Sequence, residues 1–395
     1  MKIIKLKISR RILRYMKDII RKLKEQKFIT KVGVSEDNYK DDITQTGDPN
    51  EIIKYVESKY EPERPEYPIT KESNSALMYI MHNSGLAASE DFMTWDEVEA
   101  VTDEDIKQKP TTLSNGAMIY ISFFEAPWND SSFPTLEYFN EFKYFTNVTK
   151  VSTETNPQVS LPASLKEVTF PKSCINISRS GIDQRNLSKL IIDPENPKYD
   201  SRNDCNAIIE TESNTLIVGT ASTTIPDSVT SIGDYAFRGC SSLTSIVIPD
   251  SVTSIGEFAF KDCTNLSNIK LSDNITELQH CTFQNCTSLK TIIIPDSVTG
   301  IIRGVFWGSG LESITIPANV TSMSTAFKDC RKLSTIISLA PVAGELNGGY
   351  TDIDNMGADV AGEKTLQVPK GATGYNSYPW SAFVTAGYTL KYIEE

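Results

Sequence analysis

The chain has only two histidines, His82 and His280, in different regions of its 395 residues. With so few imidazoles, neither a histidine metal pair nor a nucleophile–base–acid triad can be built from sequence neighbours. No G-x-S-x-G elbow, glycine-rich phosphate loop or H-E-x-x-H helix occurs, so acyl-transfer, nucleotide-binding and zinc-protease chemistry all lack their signatures. No run of 18 apolar residues occurs either, which excludes a helix crossing a bilayer. Seven cysteines is an odd number and excludes a fully paired disulfide framework. Basic residues are concentrated at one end: residues 1–31 carry a charge of +10, which leaves −22 on the rest of a chain whose net charge is −12. An acidic body argues against a nucleic-acid partner. The first residues, MKIIKLKISRRILRYMKDIIRKLKEQK, interrupt every apolar pair with charge and precede no small-residue cleavage site, so they do not read as a secretory leader. Catalysis is not expected, and no cofactor is implied.

What the chain has in abundance is repetition. IPDSVTSIGDYAFRGCSSLTSIV, IPDSVTSIGEFAFKDCTNLSNIK, LSDNITELQHCTFQNCTSLKTII, IPDSVTGIIRGVFWGSGLESIT and IPANVTSMSTAFKDCRKLSTII begin at Ile225, Ile248, Leu271, Ile294 and Ile316, with periods of 23, 23, 23 and 22 residues. That period lies in the range of a leucine-rich-repeat solenoid. One unit cannot fold alone. Its few apolar side chains gain about 1.5–3 kcal/mol each on burial, whereas ordering each residue costs about 1–2 kcal/mol of backbone entropy. Stacking closes the gap, because each coil covers the apolar edge of the next with strands about 4.8 Å apart.

The L-x-x-I-x-I pattern places seven strands, at Leu165, Leu187, Leu243, Leu266, Leu289, Leu311 and Leu333. The 56-residue gap between the second and third exceeds one coil by 33 residues, and Ala207–Ile209 and Thr215–Val218 read as a β-hairpin inserted there. The expected fold is a β-rich solenoid of seven or so coils of 22–23 residues, with an α+β N-terminal cap and a basic amphipathic helix. Residues 1–33 form that arm, 34–72 an acidic, proline-containing linker, 73–150 a helical and mixed cap, 151–340 the solenoid with its insertion at 193–224, and 341–395 a C-terminal cap. In the N-terminal cap, Ser75–Ser84 and a Thr94 capping box open short helices, Ala117–Phe124 reads as a strand, and Thr135 caps an aromatic helix through Phe145.

In the arm, Ile8, Ile12, Tyr15, Ile19 and Leu23 make one apolar stripe of a helix whose other faces are basic. It can dock on an anchoring protein, lie on a membrane surface or stay solvated. Within a coil, strand alternation turns Ile246 and Ile248 inward and sets Val247 outward. Val247, Lys270, Ile293 and Thr315 share this outward column and are the ligand-contact candidates, with Tyr235 and Phe258 as aromatic candidates on the loop side; burial between coils is the alternative for those two. Asp227, Asp250, Asp273 and Asp296 occupy one position in four coils. They either accept backbone N–H groups in the turn after proline or form a column that attracts a cation. No other metal site is expected. Cys240, Cys263, Cys286 and Cys330 recur with the repeat and read as small buried packing residues, disulfide or metal use being the alternative.

The motif IPDSVTSIGDYAF-x-x-C-x-x-L resembles the BspA-type leucine-rich repeats of bacterial surface proteins. YDSRNDCNAIIETESNTLIVGT is similar to the insertion of Bacteroidetes versions, and VPKGATGYNSYPWSAF to the usual end of such arrays. The likeness covers about residues 160–395. It implies a right-handed solenoid used for adhesion to host or bacterial surface proteins or glycans. Joined to a basic arm without a leader, the resemblance also suggests a phage virion fibre or decoration protein, the bacterial cell surface being the alternative location.

Overall fold

The computed structural model describes residues 67–107, 136–154, 158–343, 354–377 and 380–393 with their side chains, and the backbone of the strands Ile4–Leu6, Val32–Val34, Lys109–Thr112 and Met118–Ile121. Two compact units, Met1–Tyr67 and Pro68–Glu395, divide the chain. In the first, Ile4–Leu6 pairs in parallel with Val32–Val34. The apolar stripe from Ile8 to Leu23 lies outside the described residues, as does the segment 35–66.

The second unit begins with two short helices. In Ser75–Asn83, Asn74 Oδ1 accepts the Leu77 N–H at 3.0 Å, while Leu77, Met78 and Met81 are buried. Trp95–Ala100 opens with a complete capping box: Thr94 accepts from the Glu97 N–H, and the Glu97 carboxylate accepts from the Thr94 N–H at 2.7 Å. The two backbone N–H groups are otherwise unmatched at a helix start.

The aromatic segment that follows is not the helix its composition suggests. Tyr138–Phe139 is a strand in parallel register with Glu167 and Val168, and Asn140–Tyr144 is a single 3₁₀ turn. Aromatic side chains are mediocre helix formers and fit a half-buried strand well. Pairing with the next coil buries Phe139 against Phe142 and Phe145 and leaves Tyr138 outside.

From there the chain winds. Glu167–Phe170 pairs in parallel with Lys189–Ile192, Ser245–Val247 with Asn268–Lys270, and Ser313–Ile316 with Thr335–Ser338. The ladder then continues into Lys364–Pro369 and Tyr388–Ile393. With Tyr138–Phe139, these supply three rungs beyond the seven that the repeat motif marks, for about ten turns. On another side, Ser231–Ile232 pairs with Ser254–Ile255, and Gly300–Ile301 pairs with Glu277–Leu278 on one edge and Ser322–Met323 on the other. Ala207–Glu210 and Thr215–Gly219 form an antiparallel hairpin whose second strand pairs in parallel with Ser231–Ile232.

Inside the coils, Phe237, Phe260, Phe283, Phe306 and Phe327 stack in a column, with centroids 5.0, 5.6, 5.8 and 5.9 Å apart and planes within 13° of parallel. All seven cysteines are buried and free. The repeating thiols are used for hydrogen bonding: Cys263 Sγ lies 3.0 Å from the Phe237 carbonyl, Cys286 3.2 Å from Phe260 and Cys330 2.9 Å from Phe306. Each thus adds a second, weak donor to a carbonyl of the preceding coil that already accepts a backbone N–H.

Candidate functional site

The geometry of the strand face follows from which side chains the core takes. Ile246, Ile269, Ile292 and Ile314 are buried, so their neighbours must point out. Val247 is 60 % exposed and Ile293 85 %, and Lys270 and Thr315 are exposed as well. Val247 lies directly across from Lys270, and Thr315 is followed in register by Ile337, Gln367 and Lys391. Alternation persists at Ile293 although residues 291–293 form no assigned strand. Beside this column runs a second one of short polar side chains: Ser245, Asn268, Thr291, Ser313, Thr335, Thr365 and Thr389. The two columns make a face of hydroxyls and amides punctuated by aliphatics, with no carboxylate from Ser245 to Lys391.

Tyr235 and Phe258 are elsewhere, at the turn following the other sheet, where Ser231–Ile232 and Ser254–Ile255 end. Their rings stack at 4.9 Å with a 7° angle, and Phe258 also meets His280 at 4.8 Å. Both residues have positive φ, +59° and +57°; the equivalent positions in the next coils are Cys281 at +53° and Gly304 at +71°. A bulky residue there costs about 1–2 kcal/mol. Ring stacking returns about 0.5–1.5 kcal/mol, and Arg238 and Lys261 sit 5.6 and 5.5 Å from the ring centroids. Half-buried between coils, the two rings are held by each other, by His280 and by the two cations. The six candidates thus fall into two groups, one on the strand face and one at the turns after the other strands. Trp307, which takes the repeat position of Arg238 and Lys261, was not singled out by sequence. It is half-buried, donates Nε1–H to Asp329 at 2.9 Å and lies under Lys328.

The four aspartates Asp227, Asp250, Asp273 and Asp296 are exposed. Asp250 Oδ1 accepts the Asp273 N–H of the next coil at 3.1 Å, and Asn274 and Asn319 donate to the Asp250 and Asp296 carbonyls, both at 2.7 Å. Among the described residues, no three His, Cys, Asp or Glu side chains converge as metal ligands. Next to this column, Thr253, Thr299 and Thr321 donate to the carbonyls of Thr230, Thr276 and Thr299 at 3.3–3.4 Å. Burial pushes the thiols of Cys240 and Cys330 up to about 12 and that of Cys205 up to about 11, and it raises Cys174, Cys263 and Cys286 as well. Such thiols stay protonated near neutrality, the reverse of nucleophile activation.

Residues 217–334 match the model of the BspA type leucine rich repeat region, in six copies. Among solved structures, the chain is similar to a leucine rich cell surface protein from Faecalibacterium prausnitzii, at 28 % identity over 55 % of this chain and 60 % of that one, with a TM-score of 0.39. It is similar to the pneumococcal vaccine antigen PcpA at 20 % identity over 66 % of each chain, TM-score 0.44. A leucine-rich repeat protein from Eubacterium ventriosum matches at 19 % identity over 58 % of this chain and 88 % of that one, TM-score 0.37. The chain therefore spans 60 % and 66 % of the lengths of the first two. No curated protein matches it. Residues 217–334, which carry the regular coils described above, are a BspA-type leucine-rich-repeat region.

Proposed function

We propose that the array is a non-catalytic recognition surface that binds a protein or glycan on another cell through its strand face. The observation that carries this reading is the exposure of Val247 and Ile293, at 60 % and 85 %, on a strand face whose other side chains are short hydroxyls, amides, Ile337 and the lysines Lys270 and Lys391. Single exposed aliphatics are ordinary. Here they stand in a column with Lys270 between them, where their contacts can add along one ligand. Adhesion, the role of described members of the repeat family, supports the same use.

Replacing Val247, Lys270 and Ile293 together by aspartate is expected to abolish attachment to target cells. All three side chains are exposed, so no core is opened, but carboxylates on adjacent rungs repel by on the order of 0.8 kcal/mol per neighbouring pair. The melting midpoint is therefore measured alongside attachment, with asparagine at the same three positions as the uncharged control. Unchanged attachment would remove this face from consideration.

As to location, the phage-virion reading draws on the basic stretch that carries Ile8, Ile12, Tyr15, Ile19 and Leu23, which an anchoring protein partner would take up. The bacterial cell surface draws on the repeat family. An antibody to residues 225–337 applied to purified particles and to washed cell envelopes separates the two: signal on envelopes alone removes the virion.

A further inference from the structure

The apolar core of the second unit is not one continuous column. Its buried side chains form two clusters, one running from Ile69 to Ile192 and Tyr199 and the other from Cys205 to Tyr388. The hairpin lies between them and faces both ways. Ile208 and Val218 belong to the first cluster, and Ala207, Ile209 and Leu216 to the second.

Contacts across this boundary also differ in kind from those between ordinary coils. Between regular coils, the N–H groups of Tyr235, Phe237 and Gly239 donate to the carbonyls of Glu257, Ala259 and Lys261, while phenylalanine stacks on phenylalanine. The coil carrying Phe237 has no such coil before it. Phe237 lies instead against Gly219, where a Cβ would collide with the ring. Of the carbonyls that would accept from a preceding coil, Ala236 takes the Gly219 N–H and Gln184 Nε2, the latter at 2.7 Å, and Arg238 takes Arg179 Nη2. Gln184 is 1 % exposed; its Nε2 also donates to the Gly219 carbonyl at 3.0 Å, and its Oε1 accepts from Arg179 Nε at 3.0 Å. Ser242 Oγ adds a hydrogen bond to the Arg185 carbonyl at 3.1 Å. The hairpin strand keeps the ladder to Ser231–Ile232, and side-chain donors stand in only on the side of the coil where regular coils stack phenylalanines.

We infer that the hairpin at 207–219 is a joint at which the array divides into two cooperative units, residues 69–192 and 225–388, coupled through the hairpin itself and the polar contacts of Arg179 and Gln184. Stability in a stacked array is the sum of unit terms and nearest-neighbour interface terms. An interface in which aromatic stacking gives way to a two-residue strand pairing, a hairpin that splits its apolar side chains between two clusters and a few side-chain hydrogen bonds, each of modest net value, is where cooperativity should break.

Hydrogen exchange of the full chain along a urea series tests this. Two fronts are expected, one for the amides of Glu167–Phe170 and Lys189–Ile192, the other for those of Ser245–Val247, Asn268–Lys270 and Ser313–Ile316. Gln184→Ala should move the first-melting front to lower urea and leave the second in place, because the unit that melts last has by then lost its neighbour. A single front for both amide sets would overturn the inference, as would a variant that moves both fronts equally. If Gln184→Ala fails to fold, the number of fronts in the unsubstituted chain decides by itself.

Discussion

Replacing Phe260 by alanine is expected to lower the stability of the repeat region by about 3–5 kcal/mol, the range for large-to-small changes at fully buried aromatics. Phe260 is inaccessible to solvent and sits between Phe237 at 5.0 Å and Phe283 at 5.6 Å, with nearly parallel planes on both sides. Its removal leaves a void whose walls are other rings of the same column, fixed in turn by Phe306 and Phe327. Such walls collapse poorly, which places the expected loss high in the range. Phe260→Leu should cost much less, since it keeps most of the buried carbon. The urea midpoint of the amides in Ser245–Val247 and Asn268–Lys270 is the measurement. A loss under about 1 kcal/mol would show that the coils are not held together by this column. The strand face depends on the same packing, because Val247 and Lys270 are aligned only while Ile246 and Ile269 are seated inside.

The second large effect is alkaline destabilisation. In the native chain, burial holds the thiols of Cys240 and Cys330 at about 12 and that of Cys205 at about 11, against 9.0 for an ordinary thiol. Cys174, Cys263 and Cys286 are raised too, again chiefly by burial. Above pH 9 the unfolded chain therefore loses protons that the folded chain keeps. The stabilisation is complete below the unfolded value and is lost as pH rises toward the folded values. Each such thiol contributes a slope of about 1.4 kcal/mol per pH unit in that window. Three of them acting together remove about 4 kcal/mol per unit, a large part of a typical folding free energy of about 5–15 kcal/mol. The urea midpoint should fall steeply between about pH 9 and pH 11. Cys263→Ala should reduce that slope by one thiol's share, which separates the thiols from tyrosine and lysine titrating in the same range. A midpoint that stays constant through this window, or a slope that Cys263→Ala leaves unchanged, would remove the thiols as its cause.

Much of the coil was legible before any coordinates. A spacing of 22–23 residues in the string I-P-D-S-V-T requires equivalent residues to stack, and strand alternation then separates Ile246 from Val247 and Ile292 from Ile293. The repeating cysteines were legible as buried, though not their bonds to the phenylalanine carbonyls, which depend on backbone atoms in the neighbouring coil. The segment after Thr135 was misread as a helix because its aromatic spacing suits either period, and only the edge of Glu167–Phe170 decides between them.

What the amino-acid order determined alone is therefore whatever repeats: the pitch of the winding, the inward and outward columns, and the exposure of Val247, Lys270, Ile293 and Thr315. What only the tertiary structure decided is how the chain is joined where the repetition breaks. The rung at Tyr138–Phe139 lacks the motif and is recruited by an unpaired edge, whereas Thr365–Pro369 and Tyr388–Ile393 read as closing strands in the sequence and take only their parallel register from the ladder they extend. Gln184 meets Ala236 across 52 positions of sequence, and the stacking of Tyr235 on Phe258 depends on a backbone turn to positive φ. Periodic contacts are written once per coil and can be read from spacing. A contact made once, between distant residues, exists only after the chain has closed around it.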